Sequence, residues 1–265
     1  MTIAVAVCQF AAGTDVPANT ERCIELLAAA AAGGAELAVL PELAMHFDPT
    51  HSTPGPHGES IDGPFVSAVA QAAKAHGIAA LVGMTERLDG QTSDSNTLVA
   101  LTPEGELAGV YRKIHLYDAF GYRESDTIRA ADISAPLLFD VGGVTVSALT
   151  CYDLRFPEAF RWVVDAGAEV VALPAAWAAG PAKEDHWSTL LRARAIENTI
   201  YIAGAGQVGP VSCAQSMIVD PMGVVAACAG EAPGVAIAPV DPARVADVRR
   251  VNPSLANRRF TVTPR

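Results

Sequence analysis

Residues 34–41 read GAELAVLP and residues 167–174 read GAEVVALP. Each is a short apolar run stopped by proline, the pattern of a buried strand. A helical pattern precedes each run, and a strand pattern ending near a cysteine (Cys8 or Cys151) precedes each helix. Register, helix and preceding strand all agree. The echo therefore predicts two related halves facing each other across a pseudo-twofold axis. Past the shared Leu-Pro the copies diverge, to Glu42 in the first and Ala175 in the second.

Working outward, strand and helix patterns alternate along the chain. Strands are expected at 3–10, 37–40 and 78–83. Hairpins are expected at 96–101/106–113 and 136–141/144–150, turning on Pro103-Glu104-Gly105 and Gly142-Gly143. Further strands are expected at 169–173, 199–205, 214–220, 224–229 and 235–240. Helices are expected at 19–32, stopped by Gly33-Gly34, and at 64–76, 157–166, 185–198 and 242–251. No linker-like stretch interrupts this order, so residues 1–265 read as a single α/β domain with a mixed sheet.

Composition narrows the function. The chain is 51% hydrophobic and carries a net charge of −11 with no Lys/Arg run, which argues against phosphate-driven nucleic-acid binding. No apolar run approaches the ~18 residues of a membrane span, and the N-terminus reads as a strand rather than a signal peptide. Five scattered cysteines without C-x-x-C support neither a disulfide framework nor a zinc ribbon. A reducing cytoplasm is the expected compartment.

Three strand ends carry residues with chemistry. Cys151 ends the strand before CYDLRFPE (151–158) and precedes a helix N-terminus, whose dipole favours a thiolate. A lone cysteine is as readily core filler, and Cys8 reads as structural. Glu42 follows LAVLP, where partial desolvation suits a general base; an N-cap or surface ion pair is the plainer reading. Lys113, in VYRKIHLYD, would lower a neighbouring thiol's pKa and hold an oxyanion, or lie exposed. Glu124, in GYRESD, either orients that lysine or is solvated. Sites in α/β sheets form at strand C-termini, so the three together point to one.

LPEL around Glu42, YRKIHLYD around Lys113, CYDLRFPE around Cys151 and HWSTLLRARAIEN (186–198) resemble the carbon–nitrogen hydrolase, or nitrilase-like, family. The resemblance implies an α-β-β-α sandwich with internal twofold symmetry, a homodimer and no metal or cofactor. It implies Glu42, Lys113 and Cys151 as the catalytic set, with Glu124 in support and the Tyr152 backbone N–H as an oxyanion donor. The substrate it implies is a small-molecule amide, cleaved through a cysteine thioester.

Arg155 stands where family members that act on carboxylate-bearing amides have an arginine, and would clamp a carboxylate; an ion pair with Asp153 or Glu158 is the alternative. The leading expectation is an omega-amidase acting on 2-oxoglutaramate-like amides. Amidases of deaminated glutathione come next, then N-carbamoyl amino acid hydrolases, then nitrilases. A thiol-based binding or redox protein is the reading outside hydrolysis. The segment AAWAAGPAKEDHW (175–187) departs from the amidase relatives: Trp177 is bulky and the usual threonines are absent. GAGQVG (204–209) fits a dinucleotide motif but has no helix after it, and His46, His51 and His57 lack zinc spacing. Trp187, Leu190 and Leu191 read as a core-facing helix stripe.

Overall fold

The computed structural model describes residues 1–50, 57–213 and 215–263. Its first half holds β1 (Ile3–Gln9), α1 (Val16–Ala32), β2 (Leu37–Val39), α2 (Pro64–His76), β3 (Ala79–Glu86), β4 (Ser95–Leu101) and β5 (Leu107–Arg112). A short ribbon, β6 (Asp118–Ala119) and β7 (Tyr122–Arg123), bridges to the second half. That half holds β8 (Leu138–Val141), β9 (Val144–Ala148), α3 (Pro157–Asp165), β10 (Val170–Ala175), α4 (Lys183–Asn198), β11 (Tyr201–Gly206), β12 (Met217–Val219) and β13 (Val225–Cys228). The chain then adds β14 (Gly234–Val240) and α5 (Pro242–Val251).

Two sheets form, in the orders β14-β1-β2-β3-β4-β5 and β8-β9-β10-β11-β12-β13. The orders superimpose element by element. In each, three central strands run parallel; one antiparallel strand flanks them on one side, and on the other an antiparallel strand is followed by a last strand antiparallel to it. Parallel strands need crossovers, and each crossover carries a helix: α1 and α2 in the first half, α3 and α4 in the second. The echoed glutamates repeat one local device. Glu36 accepts from the Ala4 N–H (3.2 Å) and Glu169 from the Thr145 N–H (3.1 Å), each tying the echoed strand to the start of its parallel neighbour.

Strand alternation divides the core. Val5, Val7, Leu37, Val39 and Leu81 pack between the sheets with Val146, Ala148 and Ala172. Ala6, Cys8, Ala38, Leu40, Ala80 and Val82 face the other way, under α1 and α2 with Cys23 and Leu27. The layers are helix, sheet, sheet, helix. Cys8 lies wholly in the helix–sheet layer, where burial pushes its thiol up to about 12, so it is an inert core group.

Several boundaries differ from the sequence reading. α1 starts three residues earlier than Asn19, because Asp15 caps the Ala18 N–H and Pro17 fits the first turn. β3 runs on to Glu86, its ladder with β4 continuing past Gly83. The strand expected at 214–220 is only Met217–Val219, and Ala214 lies outside the described residues. The β6–β7 ribbon and two short 3-10 turns, Glu124–Asp126 and Cys151–Arg155, were not expected; they are too short to carry a periodicity.

Candidate active site

Glu42 leaves the end of β2 and is 2% exposed. Its Oε1 accepts from Lys113 Nζ (2.8 Å) and Asn96 Nδ2 (2.7 Å), and its Oε2 from the Ala176 N–H (2.6 Å). Ala176 follows Ala175, the residue that takes Glu42's place in the echo, so the two copies meet at this carboxylate. The Gln207 amide donates to the Glu42 carbonyl at 3.0 Å, which gives the GAGQVG stretch a structural task at the end of β11.

Lys113, just past β5, is 2% exposed and reaches Glu124 Oε2 at 2.9 Å as well as Glu42. Burial works against its charge, but Glu124 and Glu42 outweigh that and hold the ammonium well above the ordinary lysine range. Glu124 is buried too, anchored by the Tyr117 N–H at 2.7 Å.

Cys151 opens a 3-10 turn with a left-handed backbone (φ 45°). A reciprocal cap fixes the turn: Asp153 Oδ2 accepts from the Thr150 N–H (2.9 Å), while the Thr150 side chain accepts from the Asp153 N–H. Asp153 is fully buried and also accepts from the Tyr111 hydroxyl (2.5 Å) and lies 2.7 Å from His115 Nδ1. The thiol lines the same cavity as Glu42 and feels its charge. Burial first, then Glu42, push its pKa well above the ordinary value, with Lys113 opposing. This corrects the expectation of a dipole-stabilised thiolate. The helix begins only at Pro157, beyond the intervening turn, and desolvation decides the matter.

Glu42, Lys113, Glu124 and Cys151 line one cavity of about 480 Å³ together with Tyr152, Arg155 and Trp177. Tyr152 packs edge-on against Tyr117 and Phe156. Arg155 lies 4.9 Å from the Trp177 ring, donates to His186 Nδ1 at 3.4 Å, and has no carboxylate within 4.0 Å among the described residues. The ion pair with Asp153 or Glu158 is therefore not formed, because Asp153 is taken up by the turn. Trp177 is itself pinned, its indole donating to the Lys183 carbonyl at 2.8 Å.

Three residues of the site escaped the sequence reading: Asn96, Asp153 and Lys183. For the first two, the available signal was a polar side chain inside an otherwise buried run. His46 stacks on His57 at 4.1 Å, while His51 lies outside the described residues. Among the described residues no group of three or more His, Cys, Asp or Glu is arranged to hold a metal. Trp187 and Leu191 are buried in the core, with Leu190 packed at its edge. No helix among the described residues is long and apolar enough to cross a membrane.

A symmetric four-layer fold with a buried Glu-Lys-Cys cluster defines a class of hydrolases that attack C–N bonds. The model of the carbon-nitrogen hydrolase family matches residues 4–250, and the chain belongs to that family and is an enzyme of that class. It is 41% identical over 258 residues to the deaminated glutathione amidase of Escherichia coli O157:H7, covering 97% of both chains. A carbon-nitrogen hydrolase superfamily protein of Xanthomonas campestris superimposes with a TM-score of 0.88 at 26% identity, covering 100% of both chains. A glutamate-to-glutamine mutant of an amidase of Nesterenkonia sp. AN1, which shows covalent addition of the acetamide moiety of fluoroacetamide at its active-site cysteine, superimposes with a TM-score of 0.81 at 27% identity, covering 97% of both chains.

Proposed function

We propose that the chain is an amidase that cleaves a carboxylate-bearing amide through a Cys151 thioester, and that deaminated glutathione is its substrate. The observation that carries the chemistry is a buried thiol held in its protonated form, in one cavity with Glu42 and with a lysine held as ammonium. Such a thiol needs a base at the moment of attack.

Glu42 takes the thiol proton as sulfur bonds to the amide carbon. The oxyanion forms against Lys113 Nζ and the Tyr152 N–H. Glu42 returns the proton to the amide nitrogen, the C–N bond breaks and the amine leaves. Water then attacks the thioester carbon, giving its proton to Glu42, and the acid leaves as the proton returns to sulfur. Glu124 and Asn96 act through Lys113 and Glu42 as positioning residues.

The acyl group follows from Arg155, a guanidinium in the cavity wall with no carboxylate to pair with among the described residues. It suits a substrate carboxylate. The omega-amidase expectation and deaminated glutathione share a 2-oxoglutaryl acyl group and differ in the leaving amine, ammonia against cysteinylglycine. The name borne by the Escherichia coli relative favours the second.

The test is a panel of deaminated glutathione, 2-oxoglutaramate, N-carbamoyl amino acids and neutral aliphatic amides. Deaminated glutathione should give the highest kcat/KM, with loss of at least ~10³-fold in Cys151→Ala and Glu42→Gln. Faster turnover of 2-oxoglutaramate would return the omega-amidase reading. Hydrolysis surviving in Glu42→Gln would remove Glu42 as the base.

A further inference from the structure

Lys183, the first residue of α4, is a second cation in the cavity wall. It is 6% exposed and has no carboxylate within 4.0 Å among the described residues. Its Nζ donates to the Tyr117 hydroxyl at 3.2 Å and lies 3.5 Å from the centroid of the Phe120 ring. The Arg155 guanidinium lies 5.7 Å from that same ring. Burial, and then repulsion from Arg155, lower the pKa of Lys183.

Glu42 and Glu124 both turn to Lys113, and neither comes within 4.0 Å of Arg155 or Lys183, so the one negative charge left over in that trio pairs with neither cation. Ring faces and a phenol compensate only a part of the cost of holding two like charges in one cavity. The Arg155 Nε is buried without a hydrogen-bond partner among the described residues. A ligand with one carboxylate neutralises one cation and strands the other. A ligand with two neutralises both.

We infer that Lys183 is a specificity-determining residue that reads a second anionic group, so that the site selects amides carrying two carboxylates. This rests on the carboxylate-amide reading above and assigns Lys183 its share of it. Deaminated glutathione carries two carboxylates and 2-oxoglutaramate one. Lys183 thereby distinguishes the two candidate substrates by charge.

The experiment compares deaminated glutathione with the same molecule capped as a primary amide at its terminal carboxyl. Lys183→Met keeps the stem and the backbone carbonyl that holds Trp177, and Lys183→Arg restores the charge. The ratio of kcat/KM, dianion over monoanion, should fall about 10–100-fold in the Met variant, through KM, and recover in the Arg variant. An unchanged ratio overturns the inference, as does an equal loss on both substrates, which would mean that Lys183 and Arg155 share one carboxylate. If the unaltered enzyme fails to turn over deaminated glutathione, only the substrate reading falls. Calorimetric titration of Cys151→Ala with dicarboxylates from succinate to adipate then decides: affinity that drops at least tenfold with Lys183→Met supports the inference, and affinity indifferent to it overturns it.

Discussion

Asn96 gives one amide nitrogen to two carboxylates: its Nδ2 stands 2.7 Å from Glu42 Oε1 and 3.0 Å from Glu124 Oε1. Lys113 Nζ bridges the same pair. Two acids this close repel unless donors stand between them, so Asn96 completes with a neutral group what Lys113 does with a charge. Asn96→Asp replaces the donor with a third carboxylate in nearly the same volume. Turnover should fall ~10–100-fold, and the acidic limb of the kcat/KM profile should move to higher pH as the added charge makes Glu42 harder to ionise. A fall in activity with an unmoved profile would reduce Asn96 to a packing residue.

Asp153 occupies a comparable place beneath Cys151. One buried carboxylate holds the Thr150 N–H, the Tyr111 hydroxyl and His115, and so fixes the turn that sets Cys151 at positive φ. Asp153→Ala leaves buried donors unpaired and should cost about 2–4 kcal/mol in urea unfolding, with kcat falling further than KM rises. Asp153→Asn keeps an acceptor for Thr150 and should recover most of the stability. Equal kcat in Ala and wild-type enzymes would show that the turn holds itself.

The legible part of the molecule was whatever has periodicity or order in sequence. The echoed GAE runs announced the twofold relation, and Glu42, Lys113, Glu124 and Cys151 stood in ordered motifs. What was hidden depends on three-dimensional closure. Lys183 stands among several charges in KEDHW, just after a left-handed Ala182 (φ 58°), and nothing in that run marks it as part of a cavity wall. Asn96 lies near the start of a strand whose sequence shows polarity but no partner, since its partners lie 54 and 28 residues away. The state of the Cys151 thiol followed burial and Glu42, neither of which a local helix rule contains.

Burial also sets the alkaline limit of the fold. Cys8 keeps its proton in the folded chain up to about 12 against an ordinary 9.0, and Cys23 is raised as well by burial and by Cys8. The unfolded chain loses these protons first. The stability they supply is fully present below about pH 9 and is lost as pH rises toward the folded values, at up to ~1.4 kcal/mol per pH unit for each thiol. Lys113 adds a loss of the same sign above its ordinary 10.5. Urea midpoints should therefore decline steadily between pH 9 and 11. Cys8→Ala should lower the midpoint at pH 7 and flatten that decline; an identical slope in the variant would mean the thiols do not carry it.

Gly83 places Glu42 from the neighbouring strand. A Cβ there would stand 2.6 Å from the Pro41 carbonyl oxygen, 2.7 Å from the Glu42 Cα and 2.8 Å from the Leu43 nitrogen. All three are backbone atoms, so no side-chain rotation relieves the contact, and Leu43 already holds a positive φ of 54°. Gly83→Ala must push the Pro41–Leu43 backbone away from β3 and carry the Glu42 carboxylate with it. Displacements of ~1 Å at a reacting group cost on the order of 10²-fold, whereas overpacking a core costs roughly 1–3 kcal/mol. The variant should thus stay folded with kcat/KM reduced about a hundredfold. Gly13→Ala, where a Cβ meets nothing within 4 Å, is the matched control and should change neither property appreciably. Full activity in Gly83→Ala would show that the acid tolerates displacement, and would weaken the case for Glu42 as a base held in place by its backbone.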